Sequence, residues 1–241
     1  MSNNLLTLEG VHTHIGAYHI LHGVDLAVPR GQLTLLLGRN GAGKTTTLRT
    51  IMGLWRASQG RITFDGQDIT ALPTPAIAAL DIAYVPENMG IFADLTVREN
   101  MLLAARGARR ASEMDEARLQ WIFQLFPAVE KFWNHPAGKL SGGQKQMLAV
   151  SRAIIEPRRL LIVDEPSKGL APVMVDNMIS AFQQLKASGV TILLVEQNLN
   201  FAKRLGDSVA VMDNGRVVHA GSMQALAGDE ELQQSLLGLA L

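Results

Sequence analysis

Leu33-Thr34-Leu35-Leu36-Leu37-Gly38-Arg39-Asn40-Gly41-Ala42-Gly43-Lys44-Thr45-Thr46 governs the reading of this chain. Leu33 to Leu37 is an apolar run of the buried-strand kind, and Thr46 to Gly53 reads as a helix with Gly53 near its end. Between them stands the spacing Gly-x4-Gly-Lys-Thr. Glycine at these positions lets backbone amides turn inward and come close to an anion, which a side chain would block. Lys44 then sets a cation between the outer phosphates of a nucleotide. Thr45 offers a hydroxyl to a bridging magnesium ion, and the helix opening here adds its positive end. Gly38, Asn40, Gly41, Ala42, Gly43, Lys44, Thr45 and Thr46 are therefore candidate phosphate-site residues.

The bulk numbers bound what such a site serves. With 241 residues, 47% of them hydrophobic, the chain can bury a full core as one large domain, with or without a subdomain. Its 22 basic and 22 acidic residues balance, which disfavours a nucleic-acid partner. Cysteine is absent, so disulfides, thiolate zinc sites and cysteine nucleophiles are excluded, and a reducing compartment suits the chain. Met1 to Glu9 lacks the basic start, apolar core and cleavage site of a secretory signal, so the expected location is the cytoplasm. No apolar stretch approaches the roughly twenty residues of a membrane span. Membrane association is expected to run through partners.

Working outward, Leu5 to Thr13 and Val24 to Val28 alternate as strands before the turn Pro29-Arg30-Gly31. Arg61 to Phe64 followed by Asp65-Gly66 adds a hairpin, and Ile82 to Val85 a short strand. From Thr96 to about Phe132 the spacing turns helical, with Leu102, Leu103, Met114, Leu119, Ile122, Phe123 and Phe126 recurring at three and four. Leu160 to Val163 and Val190 to Val195 read as buried parallel strands. Ser208 to Met212 and Arg216 to His219 flank a second hairpin turn, Asn214-Gly215.

Leu160-Leu161-Ile162-Val163-Asp164-Glu165 is an apolar strand tipped with two carboxylates, which gives one strand end two roles. Asp164 is the candidate magnesium residue, acting through a coordinated water. Glu165 is the candidate base that polarises the water attacking the γ-phosphate.

The phosphate loop, Leu140-Ser141-Gly142-Gly143-Gln144 and the Asp164-Glu165 strand, in this order, resemble the ATP-binding cassette (ABC) ATPases, and the resemblance covers essentially the whole chain. It implies an α/β fold: a P-loop NTPase (RecA-like) core with an antiparallel β subdomain, over about 1–95 and 155–241, and a helical signature subdomain over about 96–154. ATP and Mg2+ are the implied cofactors. Two subunits are implied to face head to tail, each nucleotide lying between one phosphate loop and the other subunit's Ser141, Gly142, Gly143 and Gln144. Ser141 is expected to cap a helix, with Gly142 and Gly143 presenting amides to the γ-phosphate. Lys44, Glu165 and Gln197 are the implied catalytic residues, and Thr45, Glu87 and Asp164 the metal residues. Glu87 stands where most cassettes carry glutamine, and Gln197 where most carry a switch histidine.

Pro86-Glu87, Gly169-Leu170-Ala171-Pro172 and Val195-Glu196-Gln197-Asn198 resemble one branch of that family, the shorter ATPase subunit of branched-chain amino acid importers. That branch implies an ATPase of transport at the cytoplasmic face of the bacterial inner membrane. Its implied partners are a second ATPase subunit (a different one, or a copy of itself in isolation), two membrane permeases, and a periplasmic solute-binding protein acting indirectly. Urea, short amides and other amino acids are alternative solutes, and a cassette working on nucleic acid or a binding-only module are rival readings. Asn88-Met89-Gly90 replaces the basic residues usual before Ile91-Phe92, in the loop where the family meets its permeases. The family's adenine-stacking aromatic maps to Ile15, and Tyr18 is the candidate replacement. His12 and His14, with His19 or His22, lack a completing ligand and are discounted as a metal site.

Overall fold

A computed structural model of the chain describes residues 3–238; Met1 and Ser2, which open the Met1–Glu9 stretch read above, lie outside them. Among the described residues, ten strands form two sheets. The larger is laid out as β10 (Arg216–Ser222), β9 (Ser208–Asp213), β3 (Leu33–Gly38), β8 (Thr191–Val195), β7 (Leu160–Asp164) and β6 (Ile82–Val85). All neighbours are parallel except the β9–β10 hairpin at the edge.

Both faces of this sheet are covered, which is why its strands read as unbroken apolar runs rather than alternations. Leu33, Leu35 and Leu37 of β3, with Leu161 and Val163 of β7, pack into the core formed with α6 (Gly142–Ile154), α7 (Pro172–Ala187) and α8 (Leu199–Leu205). Leu36, Leu160, Ile162, Leu193 and Val195 point the other way. They meet Leu48 and Ile51 of α1 (Lys44–Ile51), each wholly buried and contributing about 1.5–3 kcal/mol.

On the far side of α1 lies the smaller, antiparallel sheet, in the order β2 (Tyr18–Pro29), β1 (Asn4–Ile15), β4 (Ala57–Phe64), β5 (Gln67–Asp68). α1 is thus held between two sheets, and Thr13 of β1 and Thr50 of α1 share a buried hydroxyl hydrogen bond of 3.1 Å. The first two strands run longer than the sequence predicts, as one hairpin of two twelve-residue strands, and the β1–β2 register slips at four places. One slip falls between Thr13↔Leu21 and His14↔His19 and leaves Ile20 unpaired in β2.

Both turns read from the sequence form as tight hairpins. Asp65 and Gly66 take φ of 49° and 80°, and Asn214 and Gly215 take 45° and 73°, the paired left-handed conformation that Asp-Gly and Asn-Gly favour. The helical stretch after Thr96 resolves into α3 (Val97–Ala104), α4 (Glu116–Leu125) and α5 (Pro127–Lys131), which lead into α6. α2 (Thr74–Ala78), α9 (Met223–Ala227) and α10 (Glu230–Leu237) complete the helices.

Candidate active site

The loop from β3 to α1 is held in a shape only glycine permits at its two ends. A β-carbon on Gly38, at φ 147°, would lie 2.3 Å from the Met212 carbonyl oxygen. At Gly43, φ 103°, it would press the Leu21 side chain at 3.0 Å. Lys44 is buried beneath the loop, and its Nζ donates to the carbonyls of Gly38 at 2.8 Å and Arg39 at 3.0 Å. Burial lowers the lysine pKa, and the carboxylates of Glu165, Asp164 and Glu87 oppose that shift, so all three acids converge on this one cation.

Above the loop opens a cleft of about 380 Å³, lined by Asn40, Gly41, Gly43, Lys44, Thr45, Thr46, Glu87, Glu165, Lys168 and Ile20. Asp164, the last residue of β7, lies wholly buried, and neither of its carboxylate oxygens has a hydrogen-bond partner of normal geometry. Burial drives its pKa up to about 6; the Thr45 hydroxyl counters the rise in part, while Glu165 and Glu87 add to it. A buried carboxylate without a partner is costly, and a cation relieves it. Magnesium usually takes one or two carboxylates and completes its shell with phosphate oxygens and water. Asp164 beside the Thr45 hydroxyl, at the foot of a phosphate loop, fits such an ion.

Glu165 follows in the left-handed region, φ 50°, a strained setting for this residue. Two neighbours fix its carboxylate. Gln197 Nε2 donates to one oxygen and also to Asn40 Oδ1 at 2.7 Å, so a single amide joins the phosphate loop to the acid. Lys168 Nζ lies 3.3 Å from the other oxygen and 2.5 Å from Glu87 Oε1. Lys44, Thr45, Glu87, Glu165 and Gln197, taken from well-separated parts of the sequence, thus share one locus.

Glu196 is a residue whose role the sequence did not reveal. It is buried, and its carboxylate accepts from Ser167 N and Oγ, both at 2.9 Å, and from the amides of Gln197 at 3.1 Å and Asn198 at 3.2 Å. Burial raises its pKa and these donors pull it back. It therefore ties the loop carrying Glu165 and Lys168 to the loop carrying Gln197. An acid directly after an apolar strand was the available signal, the same one that marks Asp164.

Ser141, Gly142, Gly143 and Gln144 are not part of this cleft. Ser141 caps α6 in a reciprocal box: its hydroxyl accepts from Gln144 N at 3.4 Å, and the Gln144 side chain accepts from Ser141 N at 2.9 Å. Gly142 stands open, whereas a β-carbon on Gly143 would meet the Met174 methyl of α7 at 2.6 Å. Tyr18 is 75% exposed at the tip of the β1–β2 hairpin, opposite Ile15, and the unpaired Ile20 lines the cleft instead. His12, His14, His19 and His22 gather on that hairpin by stacking, with His14 and His19 parallel at 4.1 Å and His19 and His22 tilted at 4.0 Å. Among the described residues no three His, Asp or Glu side chains are arranged to hold a metal ion.

Residues 21–168 match the family model described as "ABC transporter". The chain is 38% identical over 234 residues to the high-affinity branched-chain amino acid transport ATP-binding protein BraG of Pseudomonas aeruginosa, covering 97% of this chain and all of the relative. It is 35% identical to the probable branched-chain amino acid transport ATP-binding protein LivF of Archaeoglobus fulgidus, over 92% of this chain and 93% of that one. Among solved structures it is similar to the ADP conformation of an ATP-binding cassette of an ABC transporter, with TM-score 0.80, 26% identity, and coverage of 97% of this chain and 98% of the other.

Proposed function

This chain belongs to the ABC transporter family, and on that premise we propose that it is the ATP-hydrolysing subunit of an importer for branched-chain amino acids. The observation that carries the reading is the meeting of Lys44, Thr45, Glu165 and Gln197 around the partnerless Asp164. Phosphoryl transfer to water asks mainly for positioning and charge stabilisation. Gly38 to Thr46 hold the triphosphate, with Lys44 leaving its loop carbonyls for the outer phosphates. Thr45 and Asp164 hold magnesium, with Glu87 within reach. When bound, that ion neutralises charge on the β- and γ-phosphates. Glu165 accepts the proton of the attacking water, while Gln197 keeps the carboxylate aligned with the loop through Asn40. Tyr18 supplies a ring for adenine.

The site of one chain is half of the working site. Ser141 to Gln144 stand apart from the cleft, and the open Gly142 is free to approach the γ-phosphate held by a second cassette, a copy of this chain or a different one. ATP closes that pair and hydrolysis reopens it. The described residues up to about 95 and from about 155 onward form the catalytic core with its β subdomain, and those from about 96 to 154 the helical subdomain.

Among the described residues no helix is long and apolar enough to cross a membrane. The chain sits peripherally at the cytoplasmic face of the inner membrane and drives transport through two membrane permeases, fed by a periplasmic binding protein. A groove of about 780 Å³ beside the Pro86–Gly90 loop supports the permease contact. It is walled by Leu54, Trp55, Tyr84, Met89 and Arg152, and the buried Trp55 Nε1, Tyr84 hydroxyl and Arg152 Nε all lack acceptors.

The test is nucleotide-driven association. Glu165→Gln with ATP and Mg2+, alone or mixed with a second cassette, should double its mass in solution, and Ser141→Arg should abolish the doubling. A nucleotide-bound chain that stays monomeric in both settings overturns the shared site.

A further inference from the structure

Lys168 has no task in the reaction outlined above, yet its ammonium is held at the centre of that site. Its Nζ touches Glu87 at 2.5 Å and Glu165 at 3.3 Å, joining the acid assigned to the metal with the acid assigned to the water. It lines the same cleft as Lys44 and Thr45, and its charge is felt by Lys44. Gly169, at φ 70°, follows directly, and the Glu196 carboxylate clamps Ser167 just before it, so the lysine is anchored at its base although its side chain is 58% exposed.

Electrostatics gives this placement its meaning. Glu87, Glu165 and the buried Asp164 put three carboxylates around a cleft that must admit a triphosphate, and like charges at this range repel the incoming anion. Lys44 alone does not offset them, because it is engaged with the loop carbonyls. A second cation between two of the acids removes most of that repulsion before any divalent ion is present.

Resting on the nucleotide reading above, we propose that Lys168 is a positioning residue that holds Glu87 and Glu165 together and supplies the missing positive charge until magnesium is bound. Metal-free nucleotide can then enter the cleft, and Glu87, once released from the ammonium, would be free to help hold the metal.

Equilibrium binding of a fluorescent ATP analogue to the full chain, once with Mg2+ and once with EDTA, reads this without turnover. Lys168→Met should weaken the metal-free affinity about fivefold and leave the Mg2+ affinity within about twofold, so the ratio of the two rises. Lys168→Arg should restore the ratio. A ratio equal to that of the wild type in Lys168→Met overturns the role of Lys168 while leaving the nucleotide site standing. Failure of the wild type to bind the analogue under either condition overturns the nucleotide site itself, and Lys168 with it.

Discussion

Asp164 ends β7 and Glu196 directly follows the neighbouring parallel strand β8, both acids are buried, and burial raises the pKa of both. Their surroundings are opposite. Four donors converge on Glu196, whereas no donor reaches Asp164 in normal hydrogen-bond geometry, the nearby Thr45 hydroxyl included. The first carboxylate is complete as folded and serves as a clamp between two loops. The second is stabilised only when a cation arrives, and its cost is borne by the fold until then. Burial alone does not tell a structural acid from a functional one; the count of satisfied oxygens does.

The contrast is broken most forcefully at Asp164. Asp164→Asn should lower Mg2+-dependent hydrolysis by about a hundredfold or more, and at the same time stabilise the nucleotide-free protein at neutral pH by on the order of 2 kcal/mol. Kinetics and thermal melts on one preparation check both, and a destabilised Asn variant would contradict the view of Asp164 as an uncompensated charge. Glu196→Ala should shift stability the opposite way. Stripping the acceptor from Ser167, Gln197 and Asn198 costs about 2–4 kcal/mol in denaturant melts, with activity falling as the loops loosen.

A pH series sharpens the same pair. The folded chain binds the Asp164 proton more tightly than the unfolded chain, since burial moves its pKa from 3.8 to about 6. Stability of the nucleotide-free protein should therefore fall as pH rises through about 6, with Glu196 adding a slope of the same sign. Asp164→Asn should flatten part of that slope, and melts between roughly pH 4.5 and 7.5 measure it. The smallest expected effect on stability is Gln197→Ala, within about 0.5 kcal/mol because the side chain is exposed, against a loss of about tenfold in turnover.

The parts of the fold legible in the sequence are those with local causes. The phosphate loop announces itself because close approach of β3, Met212 and Leu21 excludes side chains at Gly38 and Gly43. Asp65-Gly66 and Asn214-Gly215 announce the hairpins because their backbones need positive φ. The capping box of α6 is likewise written in Ser141 and Gln144. What stayed hidden depends on contacts between distant segments. That β1 lies between β2 and β4 follows from pairing across some fifty residues, which strand alternation does not encode. Ile20 reaches the cleft because a register slip turns it there. Lys168 and Glu196 look like ordinary loop charges until folding brings Glu87 to the one and Ser167 to the other.

The measurement that bears most directly on the proposed motor is Mg2+-dependent ATP hydrolysis by the purified chain over a wide range of protein concentration, with Glu165→Gln beside it. A site completed by a second copy predicts a rate that climbs faster than linearly with protein and disappears in Glu165→Gln. A rate strictly proportional to protein would contradict the shared site, and one that survives the loss of the Glu165 carboxylate would contradict the role assigned to that residue.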